Sequence, residues 1–127
     1  ITANSFTSVS LDPPLVLWCP ARKSTRFPTF RDAGHYSIHV LAADQLPLCR
    51  HFARSGSDFT GIPYDLNDEF VPALARSLAR FDCRAHAVHE GGDHAILVGE
   101  VLRVTTRPGT PLIFWGGRYG DFLHHDG

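Results

Sequence analysis

Thr2, Asn4, Ser5, Thr7, Ser8 and Ser10 crowd six short hydroxyl or amide side chains into nine positions, and the apolar run Leu15-Val16-Leu17-Trp18-Cys19 follows them. Ser, Thr and Asn bond to nearby backbone, so they favour turns and irregular edges over helix interiors. The segment is therefore expected to be neither a helix nor a core strand. It leaves amides and hydroxyls directed outward, which suits a ligand that is polar or anionic along one edge. Pro13-Pro14 is expected to hold the chain extended before the apolar run begins a buried strand.

The rest of the chain reads as one ordinary domain over residues 1–127. That length allows a real core. Hydrophobic residues make up 43% and charged residues 20%, a globular balance that excludes disorder. A net charge of −1 gives no electrostatic case for nucleic acid or an anionic membrane. The apolar runs fall far short of the roughly 20 residues a bilayer requires. No charged and apolar leader reads as a signal peptide. Cys19, Cys49 and Cys83 are odd in number and widely spaced, which reads as free buried thiols in a reducing cytoplasm.

Periodicity predicts mostly strands. Ser24 or Thr25 is expected to cap a short helix through Phe27–Arg31, closed by Gly34. Tyr36, Ile38 and Val40 alternate with polar neighbours as a half-buried strand. Asp44 is expected to cap a second helix whose stripe is Leu48, Cys49 and Phe52. A loop is predicted over 61–76. Phe81, Cys83, Ala85 and Ala87 are expected on one face of the next strand, with Asp82, Arg84, His86 and Val88 on the other. Glu90-Gly91-Gly92-Asp93 reads as a turn, and Gly99 as a bulge or a close backbone approach. Leu112–Trp115 is expected to be the last strand. Strands joined by tight turns, with two short helices between them, describe a mainly antiparallel β structure.

Three stretches carry a resemblance. Thr2-Ala3-Asn4-Ser5-Phe6-Thr7-Ser8-Val9-Ser10 with the following Leu-Asp-Pro-Pro resembles the flavin-binding segment of the short-chain flavin reductases. Gly92-Asp93-His94-Ala95-Ile96 resembles that family's G-D-H-x-I strand, and Gly117-Arg118-Tyr119 its closing G-R-Y element. The resemblance spans nearly the whole chain. It implies an antiparallel Greek-key split β-barrel with short inserted helices. It also implies a helix and a strand ahead of Thr2, so the sheet edge is expected to be covered by preceding residues or by a partner chain. The implied activity is NAD(P)H-dependent reduction of FMN or FAD, with reduced flavin supplied to a flavin-dependent monooxygenase. A homodimer in the cytoplasm is the implied assembly.

Carried over residue by residue, the resemblance assigns flavin contacts to Thr2, Ala3, Asn4, Ser5, Ser8, Val9 and Ser10. Arg22, Lys23, Ser24 and Thr25 join two cations and two hydroxyls at an expected helix start, a natural phosphate environment, and the family's matching loop contacts the flavin phosphate. Phe52 and Arg54 fall in a stretch that lies near the flavin in the family. His94 is the implied catalytic residue, contacting the nicotinamide nucleotide, with Arg118 and Tyr119 as further NADH contacts. The plainer reading of His94 is a turn histidine satisfied by Asp93. Asp58 stands where the family usually carries a cation, which bears on the choice between FMN and FAD. The alternatives are a protein of the same fold that retains its flavin, reducing another acceptor such as a ferric complex or lacking reductase activity, and a histidine-rich metal or haem barrel. His86 and His89 would face opposite sides of a strand, so no metal site is expected.

Overall fold

The computed structural model describes residues 1–126; Gly127, the last residue of the expected domain, lies outside them. The polar N-terminal segment does form a strand. β1 (Phe6–Leu11) pairs antiparallel with β2 (Pro14–Trp18), and Asp12-Pro13, joined by a cis peptide bond, makes the turn between them. Pro13 therefore sits in a hairpin turn, and Pro14 opens the strand that follows. A hydroxyl-rich strand is tolerated because β1 is an edge, with a neighbour on one side only. The register shifts between Ser8 and Ser10, leaving Val9 as the bulged residue.

The spine is the long hairpin of β6 (Ala79–Gly91) and β7 (His94–Thr106), turned at Gly92, whose φ is +71°. With β3 (His35–Val40) it completes a sheet of order β1-β2-β7-β6-β3. Strict alternation along β6 fails. The shift at Ala85/Ala87 inserts His86 as an extra residue; before it the expected faces hold, with Cys83 beside Tyr36 in the core and Asp82 beside Ser37 on the opposite face, each 1% exposed. The sheet curls. The Phe6 and Phe81 rings lie 5.2 Å apart although β1 and β6 are not neighbours. Inside the curl sit Val16, Trp18, Phe27, Tyr36, Cys83, Ala95 and Leu97. Each large apolar side chain buried there contributes about 2 kcal/mol. Gly99 is the expected close approach: a Cβ there would stand 2.6 Å from the Tyr36 hydroxyl.

The helices depart from the expected caps. α1 (Phe27–Asp32) starts after Arg26 without a side-chain cap and ends at Ala33 before Gly34 is reached. Ser24 acts one step earlier: its Oγ accepts the Arg26 N–H at 3.2 Å, and its carbonyl accepts the Phe27 N–H. Thr25 has no described capping bond. A 3-10 turn, Ala43–Gln45, precedes α2 (Leu46–Arg54) and contains Asp44. Gln45 takes the bonding role instead, accepting the Ala42 N–H at 2.9 Å. The expected loop over 61–76 contains a small hairpin, β4 (Tyr64–Leu66) with β5 (Pro72–Leu74). Leu112–Trp115 forms β8 but is not last. Gly116 and Gly117, both at positive φ, turn it into β9 (Arg118–Asp121). Among the described residues no helix is long and apolar enough to cross a membrane.

Candidate functional site

The ribbon ahead of β1 is tied down at two points. The Thr2 hydroxyl donates to the Cys49 carbonyl on α2 at 2.6 Å. The Ser5 hydroxyl donates to the Cys19 carbonyl and accepts the Cys19 N–H, both at 3.1 Å. These two hydroxyls are spent on holding the ribbon between α2 and the end of β2. Asn4 is exposed between them with no described partner, as is Ser8 on the edge strand. Ser8 and Ser10 pair with Val16 and Leu15, nearer the Asp12-Pro13 turn.

Residues Pro20–Arg22 continue from Cys19 and zip onto the start of β7. The Ala95 N–H donates to the Pro20 carbonyl at 3.1 Å, and the Arg22 N–H to the Asp93 carbonyl at 2.9 Å. Ala21 bridges directly to His94. Arg22 adds bonds to the Gly92 carbonyl and to Glu90. This packing fixes the loop carrying Lys23, Ser24 and Thr25 beside the His94 turn. His94 Nδ1 lies 2.8 Å from Asp93 Oδ1, and that hydrogen bond holds the Asp93 carboxyl below the usual carboxylate range. The Nε2 of His94 has no described partner and the side chain is 45% exposed. Lys23, Arg54 and Arg118 take part in none of the described ion pairs.

On the other side of the ribbon, Tyr119 of β9 packs against Phe114 with tilted rings 5.0 Å apart, and its hydroxyl lies near Cys49. That contact is the main cause raising the phenol above its ordinary range. Thr2 and Tyr119 thus meet on one residue, Cys49, which is 3% exposed. Phe52 stands in an aromatic row with His51, Phe59 and Tyr64 at spacings near 5 Å. Arg54 ends α2, exposed. Just beyond it, Gly56 leaves room for the Arg26 stem, which a Cβ there would meet at 2.6 Å. The loop of residues 23–26 and the C-terminal end of α2 are therefore neighbours.

Neighbouring residues run from His94 through Ala21 and Cys19 to Ser5, then along the ribbon to Thr2 and Cys49, near which Tyr119 lies. Arg118 is less engaged: it faces Trp115 across the β8–β9 hairpin. Asp58 accepts the Thr60 N–H at 3.0 Å, which holds its carboxyl below the usual range. An acid at that position thus makes a local turn. Sequence reasoning missed Cys49 as the joint between ribbon and hairpin, because it appeared there only as part of an apolar stripe. It also missed Arg26, for which no local pattern exists. Cys83, buried in the core, has its thiol pushed up to about 12 by burial. Among the described residues no three metal-ligating side chains gather.

The model of the flavin reductase like domain matches residues 1–123. The chain belongs to the flavin reductase-like family. It is 55% identical over 122 residues to the FMN reductase (NADH) SmoA of Agrobacterium fabrum, covering 96% of this chain and 70% of that relative. It is 38% identical to HsaB, the reductase subunit of a flavin-dependent monooxygenase of Rhodococcus jostii, covering 91% of this chain and 60% of the relative. Among solved structures, it is similar to the Streptomyces globisporus NADH:FAD oxidoreductase in complex with NAD and FAD fragments. There the TM-score is 0.89 at 39% identity, covering 95% of this chain and 75% of that one. As a family member the chain is mainly β with antiparallel sheets.

Proposed function

We propose that this chain is an NAD(P)H:flavin oxidoreductase that reduces FMN or FAD and supplies reduced flavin to a partner monooxygenase. The carrying observation is the line of neighbouring residues from His94 through Ser5 and Thr2 to Cys49, near which Tyr119 lies, because it joins all three stretches through which the sequence resembles flavin reductases. The residues suit the ligand. A flat ring with one polar edge needs outward donors, and Asn4 and Ser8 are exposed donors on a ribbon held rigid by Thr2 and Ser5. Ala3, Val9 and Ser10 complete that ribbon as backbone contacts. A phosphate needs uncommitted cations and hydroxyls, and Lys23 and Thr25 are exposed beside Ser24 without described partners. Phe52 and Arg54 close the same side from α2.

The chemistry a bound flavin supplies is acceptance of a hydride from the nicotinamide. The chain's own work is alignment, which supplies much of the rate when two rings are held face to face. In this reading His94, oriented at Nδ1 by Asp93, offers Nε2 to the nicotinamide nucleotide for a hydrogen bond. Arg118 and Tyr119 hold the same nucleotide from β9.

The curl of the sheet, with Phe6 reaching Phe81, supports a Greek-key split barrel forming one domain over 1–127. A homodimer is supported by the exposed edge strand, where Val9 is 50% and Leu11 95% exposed. Three free cysteines fit a reducing cytoplasm. The test is anaerobic mixing of the protein with NADH or NADPH and FMN, FAD or riboflavin. Bleaching of the flavin's visible band with turnover is expected; no turnover with any flavin overturns the reading. Gel filtration of the protein with flavin then separates a retained flavin from one that leaves.

A further inference from the structure

Three consecutive residues after the β4–β5 hairpin begins its exit are each gripped by a side chain from a different element. The Leu74 N–H donates to His39 Nε2 of β3 at 3.0 Å. Gln45 Nε2 donates to the Ala75 carbonyl at 3.1 Å. Arg107, just past β7, donates from Nε to the Arg76 carbonyl at 2.9 Å and from Nη2 to the same oxygen. The pinned segment walls a cavity of about 280 Å³ whose polar lining includes Asp65, Arg76, Ser77, Arg80, Thr106 and Arg107.

The charges on this wall are uneven. Arg80 is committed to Asp82 at 3.1 Å. Arg107 gives its described bonds to carbonyls only, those of Arg76 and Pro108, so no described carboxylate balances it. Arg76 is in none of the described ion pairs, and its backbone is held at φ +66°, a region a non-glycine residue occupies only under constraint. Asp65 is the sole carboxylate of the lining. The Ser77 hydroxyl is enclosed at this wall without a described hydrogen-bond partner.

We propose that this cavity is an anion subsite that takes a phosphate group, with Arg76 and Arg107 supplying charge and the unpartnered Ser77 hydroxyl turning outward to add a hydrogen bond. The Arg76 guanidinium suits phosphate because its planar donors match two oxygens at once, while Arg107, whose donors serve the Arg76 and Pro108 carbonyls, adds charge. The rigid wall means that little order is lost on binding. The subsite shares no residue with the ribbon, the His94 turn or the β9 hairpin. It lies beside the Thr106 end of β7, and His94 is at the other end of that 13-residue strand. It does not depend on the flavin reading.

The test is calorimetric titration of inorganic phosphate and, separately, of ADP-ribose into FMN-saturated protein at fixed ionic strength. One phosphate per chain is expected. Arg76→Gln and Ser77→Ala should each weaken it about 10-fold, the loss of one charge-assisted bond. FMN affinity and the unfolding midpoint should stay as in the wild type, and Arg76→Lys should recover part of the binding. Tighter binding of ADP-ribose than of phosphate, lost in Arg76→Gln, assigns the subsite to a nucleotide; phosphate binding without ADP-ribose binding assigns it to the free anion. No phosphate binding by the wild type, or equal binding by Arg76→Gln and Ser77→Ala, overturns the proposal. If FMN itself fails to bind, the proposed function falls, while the Arg76 dependence of phosphate binding still decides the subsite.

Discussion

Two carboxylates on the same long hairpin have opposite surroundings. Asp82, in the body of β6, is 1% exposed and saturated with donors: Ser37 Oγ at 2.8 Å, Arg80 Nε at 3.1 Å and Arg103 Nε at 3.2 Å. Burial alone would raise its carboxyl, but the bonds from Ser37, Asn67 and Arg80 together hold it low. Arg103 also pairs with Glu69, and Asn67 bonds Ser37, so the cluster fastens the loop ahead of β5 to the sheet. Asp93, at the turn, is exposed and meets one ring nitrogen of His94, leaving the other open. A closed polar network specifies packing; an open one leaves capacity for a ligand.

Removing the partner at the closed end should have the largest effect. Asp82→Ala leaves Arg80 and Arg103 facing a buried gap and should cost about 3–5 kcal/mol of stability, read from the urea midpoint. A loss below about 1 kcal/mol would show the cluster to be surface-like in energy.

The same region should respond to acid before its aspartate titrates. His39, buried and bonded to Leu74, has its ring pushed down to about 4. Burial is the main cause, and the Arg80 charge adds to it. The unfolded chain binds this proton near pH 6.5, so between about 6.5 and 4 it holds more protons than the folded chain. Stability is therefore full above that window and falls by up to about 3 kcal/mol as pH drops through it. Denaturant midpoints at pH 7.5, 5.5 and 4.5 check this, and His39→Phe should flatten the dependence while lowering stability at neutral pH.

At the open end the expectation reverses. His94→Ala should leave the unfolding midpoint within about 0.5 kcal/mol of wild type, the usual limit for a surface change. It should lower kcat/KM for NADH by about 10- to 100-fold. Equal losses of stability and activity would erase the contrast between the two carboxylates. The smallest effect is expected where ribbon and hairpin meet. Tyr119→Phe removes one hydroxyl contact with Cys49 and should raise KM for NADH by about threefold, roughly 0.6 kcal/mol, with kcat little changed.

Much of this was legible locally. Residues 15–19, the Tyr36-Ile38-Val40 alternation, the Gly92-Asp93 turn and the Gly99 approach depend on period and turn chemistry, which neighbours in sequence supply. The helix starts were not. Ser24, Thr25 and Asp44 look like caps, yet Arg26 and Gln45 occupy those positions, because packing of Phe27 and the reach of Gln45 to Ala75 set where each helix begins. The faces of β6 read correctly through Ala85 and shift beyond it, because the extra residue His86 is invisible to a period-2 pattern.

The sequence by itself determined the strand-rich architecture, the hydroxyl-studded ribbon and the G-D-H turn, since each follows from side-chain chemistry over a few residues. Only the tertiary structure decided that Thr2 and Ser5 spend their hydroxyls on backbone while Asn4 stays free. It alone brought Tyr119 to Cys49 and buried Asp82 among arginines. The two ribbon bonds, Ser5–Cys19 and Thr2–Cys49, join residues 14 and 47 apart in the chain. Contacts at that range exist only once the sheet has curled and its loops have closed.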